Sequence, residues 1–196
     1  VTPAQHLRGV LSSIATSISN KVPLVICSKG IEKESCALMS EVVSETLPNS
    51  PIAVLSGPTF ASEVANNLPT AVTLATEDVE VGRQIVSAIG TAHFRPYLSN
   101  DTVGAQIGGA VKNVLAIACG IVVGRCMGDN AGAAIITRGI AEMTRLGIAK
   151  GARPETLMGL SGLGDLTLTC TGRQSRNMSL GHDLGKGHTP KEILNK

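Results

Sequence analysis

The periodicity of this 196-residue chain changes at Ser99, and that change constrains its fold more than any other feature of the sequence. Before it, short apolar runs alternate with segments of helical period; after it, the period is almost wholly helical. The run Pro23 to Cys27 (PLVIC) is continuous and rich in branched side chains, which predicts a strand buried on both faces. Further strands are expected over 52–55, 71–75 and 94–98. Helices are expected from Pro3 to about Ser19, from Lys33 to about Leu47, and over 79–89. Such alternation predicts an α/β sheet. Beyond Ser99, Asn100 or Asp101 can cap a long helix with an apolar stripe of Val103, Ile107, Val111, Val114, Ala118 and Ile121. A second helix should run from Ala131 to Leu146 and end at Gly147. A glycine-rich stretch, Gly159 to Gly164, then leads into Asp165 and another helix. The expected organisation is an α/β domain over 1–98 followed by an all-helical domain over 99–196.

Composition narrows the function classes. Hydrophobic residues make up 43% of the chain but aromatic ones only 2%, so the core must be built from Ala, Val, Ile and Leu. The same scarcity argues against stacking platforms for single-stranded nucleic acid. A net charge of +2 on scattered Lys and Arg residues gives neither a DNA-binding stripe nor a polybasic membrane anchor. The five cysteines (Cys27, Cys36, Cys119, Cys126, Cys170) form no C-x-x-C pair, fit a reducing cytoplasm, and are expected to be small buried apolar side chains. His6, His93, His182 and His188 lack metal-like spacing, so no metal is expected. The first residues carry no basic-then-apolar leader. The most apolar segment, Val114 to Gly124, is too short for a bilayer span and predicts a core helix.

Both ends read as those of a piece of a longer chain. Thr189-Pro190-Lys191-Glu192 is a capping-box pattern, yet only six residues follow Pro190, too few for a helix stable by itself. No strand precedes the first helix, where a parallel sheet should begin with one.

Four places carry chemistry. Lys112 lies within an apolar helix, where a charge is costly unless paired or functional. Ala105, Gly108, Gly109 and Ala116, at spacings of three, four and seven, share its side of the helix and would clear space for a ligand. The same spacing also suits a lysine that snorkels its amine to water. The second place is GLGDLTLTCT at 162–171 followed by GRQSRN at 172–177. Glycines before a helix start, together with Arg, Ser and Asn donors, suit an anion such as a phosphate; a flexible turn with solvated basic residues suits the pattern too. Ser28-Lys29-Gly30 and Ser56-Gly57-Pro58-Thr59-Phe60-Ala61 each follow a predicted strand, at the edge where doubly wound sheets bind ligands. Either could be an ordinary turn. The chain contains no G-x-G-x-x-G, P-loop or G-x-S-x-G.

Taken in order, SKGIE at 28–32, SGPTFASEVA at 56–65, GGAVKNVLAI at 108–117, ITRGIAEMTRLG at 136–147, GLGDLTLTCT at 162–171 and QSRN at 174–177 closely resemble the NAD(P)-dependent glycerol-3-phosphate dehydrogenases, in their bacterial biosynthetic form. The resemblance runs through almost the whole chain. It implies the C-terminal part of a Rossmann-like NAD(P)-binding domain lacking its glycine-rich loop (1–98), then a helical substrate domain truncated at its C-terminus (99–196). By that resemblance Lys112 is the proton acceptor or donor at the substrate C2 oxygen, and Lys29 touches both substrate and the nicotinamide end of NAD or NADP. Gly57 and Thr59 line the substrate site and Ala61 faces the cofactor. Asn113, Asp165, Thr169, Ser175, Arg176 and Asn177 complete the substrate site. Arg176 and Asn177 are placed at the phosphate, with Arg176 also near the cofactor. Position 132 is Gly, where the family commonly has a basic residue. Lysine has a reference pKa of about 10.4, so a base near neutrality needs a lowered value; burial and Lys29 would both lower it.

The expected activity is interconversion of dihydroxyacetone phosphate and sn-glycerol 3-phosphate for glycerophospholipid synthesis. The implied partners are that small-molecule substrate and, as one compatible assembly, a second copy in a homodimer; no nucleic acid or membrane span is expected. Two other readings stand beside it: a hydroxyacid dehydrogenase of the wider superfamily, and, for this segment alone, a catalytically inactive binding or assembly module.

Overall fold

The computed structural model describes residues 2–19, 21–172 and 174–195. A 3-10 turn at Ala4–His6 opens helix α1 (Leu7–Ile14), followed by β1 (Leu24–Ile26) and α2 (Met39–Thr46). Next come β2 (Ile52–Ser56), α3 (Ala61–Ala65), β3 (Thr70–Ala75), α4 (Val79–Ile89) and β4 (Phe94–Ser99). Strands lie in the order β1-β2-β3-β4. The sheet is mixed: β1 runs parallel to β2 and β3 to β4, while β3 is antiparallel to β2, with Leu55 opposite Leu74.

Alternation along the strands separates two apolar layers. Ile26, Val54 and Ala75 pack with Leu7, Leu11, Val42 and Val43 of α1 and α2. Ala53 and Leu74 point the other way, onto Ile85 of α4. Helix α4 packs against β3 and β4 and leaves Val25 of β1 39% exposed, so the expectation of a first strand buried on both faces fails. Helix boundaries also differ. The helix expected from Lys33 starts at Met39, because an isolated bridge from Ile31 to Leu38 bends the preceding residues back, with Cys36 at φ +56°. Helix α1 ends at Ile14, short of Ser19.

From residue 102 the chain is helical: α5 (Thr102–Gly124), α6 (Asp129–Ala149), α7 (Pro154–Leu157), a π-helical turn at Leu160–Gly164, α8 (Asp165–Thr171), α9 (Arg176–Gly185) and α10 (Pro190–Leu194). Asp101 starts α5 by accepting the Gly104 N–H at 2.8 Å. Gly147 does not end α6 as expected. It sits inside the helix, where a Cβ would run into Leu157, so its smallness serves packing. The capping box at α10 forms, with Thr189 N donating to Glu192 at 2.8 Å. Helix α5 spans 23 residues and holds an 18-residue stretch with a mean hydropathy of 1.8, long and apolar enough by those measures to cross a membrane. The Val114–Gly124 segment is thus the second half of a longer helix, one that packs against α6, α8 and α9 and buries Gln106 and Lys112.

Glycines set how closely α5 meets α9. A Cβ on Gly181 would collide with the Ile117 carbonyl, one on Gly120 with the Met178 carbonyl, and one on Gly124 with that of His182. The two backbones therefore touch directly. Of the cysteines, only Cys119 and Cys170 are buried; Cys27 is half-buried, and Cys36 and Cys126 are exposed, against the expectation for all five.

Candidate active site

The functional residues converge where the carboxyl ends of β1 and β2 meet α5 and α8. Lys29 follows β1, and Gly57 follows β2. The Lys29 stem lies over Gly109 of α5, where a Cβ would come within 3.2 Å of its Cγ. At Gly108 the Ser161 carbonyl of the π-helical turn takes the space a Cβ would need. The small residues beside Lys112 therefore admit the chain itself rather than leave room for a ligand, a correction to the sequence expectation. Gly57 is required by close approach: a Cβ there would lie 2.9 Å from the Val72 Cα.

Asp165 is the hub. Its side chain is fully buried, and its two carboxylate oxygens accept the Lys29 and Lys112 ammonium groups at 2.6 Å each. Lys112 also donates to Thr169 Oγ1 at 3.0 Å, while that hydroxyl donates to the Asp165 carbonyl one turn earlier at 2.6 Å. Lys29 reaches the Gly57 carbonyl at 3.4 Å, which the Thr59 hydroxyl also approaches at 3.4 Å. Lys112 is 8% exposed. Burial, reinforced by the Lys29 charge, pushes its pKa down from 10.5 to about 8 against the opposing pull of Asp165. The snorkelling alternative does not describe this amine, which is turned inward onto a carboxylate.

One residue further along α5, Asn113 accepts the Asn177 side-chain N–H at 2.8 Å. Ser175 is buried and caps α9 by accepting the Met178 N–H at 3.2 Å. Arg176 begins α9 and is exposed, and Ala61 is exposed at the start of α3. The structure thus joins Lys29, Gly57, Lys112, Asp165 and Thr169 directly and pairs Asn113 with Asn177. Thr59 reaches the cluster only through the Gly57 carbonyl, and among the described residues Ala61, Ser175 and Arg176 make no side-chain bond to the two lysines. None of the four histidines enters this cluster.

Sequence reasoning missed several residues here. Ser56 is buried beside Gly109, and its hydroxyl, like that of Ser161, has no hydrogen-bond partner among the described residues. Pro58 rests at Gly164 and Phe60 over Gly172, so the β2–α3 turn is pressed along α8. Gln174 bonds to Ser62 and Glu63. All but Ser161 lay within quoted motifs, but spacing along a chain does not say which distant segments touch.

This arrangement can hold an alcohol or ketone oxygen against a lysine whose proton is easily exchanged, with donors for an anion at the start of α9. Two family descriptions match the chain: "NAD-dependent glycerol-3-phosphate dehydrogenase N-terminus" over residues 1–82 and its "C-terminus" counterpart over 101–196. A glycerol-3-phosphate dehydrogenase [NAD(P)+] of Paramagnetospirillum magneticum is 68% identical over 91% of this chain and 65% of its own length. One from Parvibaculum lavamentivorans is 60% identical over 99% of this chain and 58% of its own. The crystal structure of glycerol-3-phosphate dehydrogenase from Coxiella burnetii superposes with a TM-score of 0.96 at 44% identity, covering 99% of this chain and 59% of that one. The chain spans roughly three fifths of the length of these relatives. With a Rossmann-like sheet, a mostly helical second part and a match at both halves, the chain belongs to the NAD-dependent glycerol-3-phosphate dehydrogenase family.

Proposed function

We propose that the protein containing this chain interconverts dihydroxyacetone phosphate and sn-glycerol 3-phosphate with NAD or NADP, in the cytoplasm, for glycerophospholipid synthesis. The observation that carries this is Lys112: buried, held on Asp165 at 2.6 Å, and poised near pH 8. In alcohol oxidation its neutral amine takes the proton from the C2 hydroxyl; in ketone reduction its ammonium polarises the carbonyl and returns that proton. Asp165 and Thr169 aim the amine. Lys29 would touch both the substrate and the nicotinamide end of the cofactor, and its charge holds the Lys112 pKa down. Gly57 and Thr59 line the substrate site, and Asn113 and Asn177, joined by a hydrogen bond, complete it. Ser175, Arg176 and Asn177 at the N-terminus of α9 are the phosphate donors, where the helix dipole adds to the guanidinium charge.

The bound dinucleotide supplies a hydride acceptor or donor. The residues present fit its nicotinamide end: Lys29 bonds to the carbonyl of Gly57, whose lack of a side chain allows the backbone in close, and Ala61 follows the same turn. No G-x-G-x-x-G is present to cradle the pyrophosphate. The division into a nucleotide domain over 1–98 and a substrate domain over 99–196 follows the switch from strands to helices. Five free cysteines suit a reducing compartment. The contacts of α5 are those of a core helix, which supports no membrane span.

The test is oxidation of NADH or NADPH by dihydroxyacetone phosphate, using this protein at its relatives' full length. Turnover with that ketone, and preference for it over 2-oxo carboxylates, supports the assignment. Preference for the carboxylates contradicts it and favours the wider hydroxyacid dehydrogenases.

A further inference from the structure

Two stretches more than 100 residues apart meet beside the cluster. The Ser62 hydroxyl donates to Gln174 Oε1 at 2.7 Å, and Gln174 Nε2 donates to Glu63 Oε1 at 3.4 Å. Just before each stretch, Phe60 lies over Gly172, where a Cβ would come within 2.7 Å of its ring. Pro58 rests at Gly164, 3.6 Å from where a Cβ would be. Residues 58–63 are therefore strapped along the whole of α8, which carries Asp165 and Thr169, from the residue before it to the loop after it. Both ends of the strap lead to ligands. Ala61, on the cofactor side, is next to Ser62. Ser175, Arg176 and Asn177, on the phosphate side, follow Gln174 without a break.

We infer that Gln174 is a positioning residue that couples cofactor binding to phosphate-ester binding, an inference that rests on the function proposed above. A dinucleotide that orders α3 also orders Gln174 through Ser62 and Glu63, and with it the phosphate donors. The second ligand then pays less ordering entropy, and linkage makes the effect equal in both directions. The substituted side chains are at the surface: Ser62 and Gln174 are exposed and Glu63 is half-buried, so their replacement leaves the core untouched.

The test uses a pair that cannot react, the reduced dinucleotide with sn-glycerol 3-phosphate, in the protein at its relatives' full length. Calorimetry gives the glycerol 3-phosphate Kd with and without saturating NADH or NADPH. In the unaltered protein the dinucleotide should tighten glycerol 3-phosphate by about 10-fold, within the usual range for coupled sites. In Gln174→Ala that factor should fall below about 3-fold, while each ligand alone keeps its affinity within about 2-fold. Gln174→Glu sets a second carboxylate against Glu63 and should lose the coupling as well. Adding Glu63→Gln to it restores a donor–acceptor pair and should recover the coupling, which a merely structural role would not predict. Undiminished coupling in Gln174→Ala and Gln174→Glu overturns the inference alone. Absence of any glycerol 3-phosphate binding by the unaltered protein overturns the proposed substrate and the coupling together.

Discussion

Asp165 holds Lys112 at 2.6 Å through one carboxylate oxygen while the other oxygen holds Lys29 at the same distance. One buried anion thus sits between two cations that would otherwise repel each other. A buried pair of this kind is costly to break, because removing one partner leaves the other charge without compensation. Asp165→Asn keeps the shape and removes the charge. Its kcat/KM should fall by about 100-fold or more, on the scale of a misdirected acid–base group, with the dinucleotide Kd little changed. An Asn variant with full activity would remove Asp165 from the mechanism.

The depressed Lys112 pKa sets the pH dependence, with opposite signs for the two directions. Alcohol oxidation needs the neutral amine, so its rate should rise with pH through about 8. Ketone reduction needs the ammonium and should fall as pH passes the same value. Lys29→Gln removes a cation that lowers the Lys112 pKa and should move both profiles to higher pH; Asp165→Asn removes the anion that raises it and should move them lower. Profiles of kcat/KM against pH in both directions check this, and a midpoint unmoved by either substitution contradicts it.

The glycine contact between α5 and α9 should be intolerant of even one methyl group. Gly181→Ala places a Cβ against the Ile117 carbonyl, so the helices must separate. Overpacking of this kind costs about 1–3 kcal/mol. Chemical denaturation should show that loss, with Gly132→Ala, where nothing lies within 4 Å of the added Cβ, as the stable control.

Acid should loosen the N-terminal part through Glu32. Arg8, bonding to both its carboxylate oxygens, holds its pKa down from 4.5 to about 2. A lowered carboxylate pKa contributes stability above the unfolded value and loses it as pH falls from 4.5 towards 2. Thermal melts should show Tm falling across that window, and Arg8→Ala should flatten the fall. An unchanged slope in the variant would assign the acid sensitivity elsewhere.

Local signals carried much of this structure and stopped at its tertiary contacts. The strands expected at 52–55 and 71–75 form at 52–56 and 70–75, and the helix at 79–89 forms as expected, because periodicity and caps are local. Lys112 stood out because a charge in an apolar helix needs a reason, and the buried pairing with Asp165 supplies one. Gly108, Gly109 and Gly147 misled: a missing side chain looks the same in sequence whether it admits a ligand, another backbone or a leucine. The antiparallel direction of β3 depends on its pairing with β2, which periodicity does not encode, and the delayed start of α2 follows a bridge between Ile31 and Leu38 that no apolar period announces. The Ser62–Gln174–Glu63 contact was invisible for the same reason.

The most direct test of the central claim is NADH or NADPH oxidation with dihydroxyacetone phosphate, comparing the protein at its relatives' full length with its Lys112→Ala variant. Loss of kcat by several orders of magnitude, with fold and cofactor binding retained, is the predicted result. A variant that keeps its turnover would contradict the account and move proton transfer to another residue.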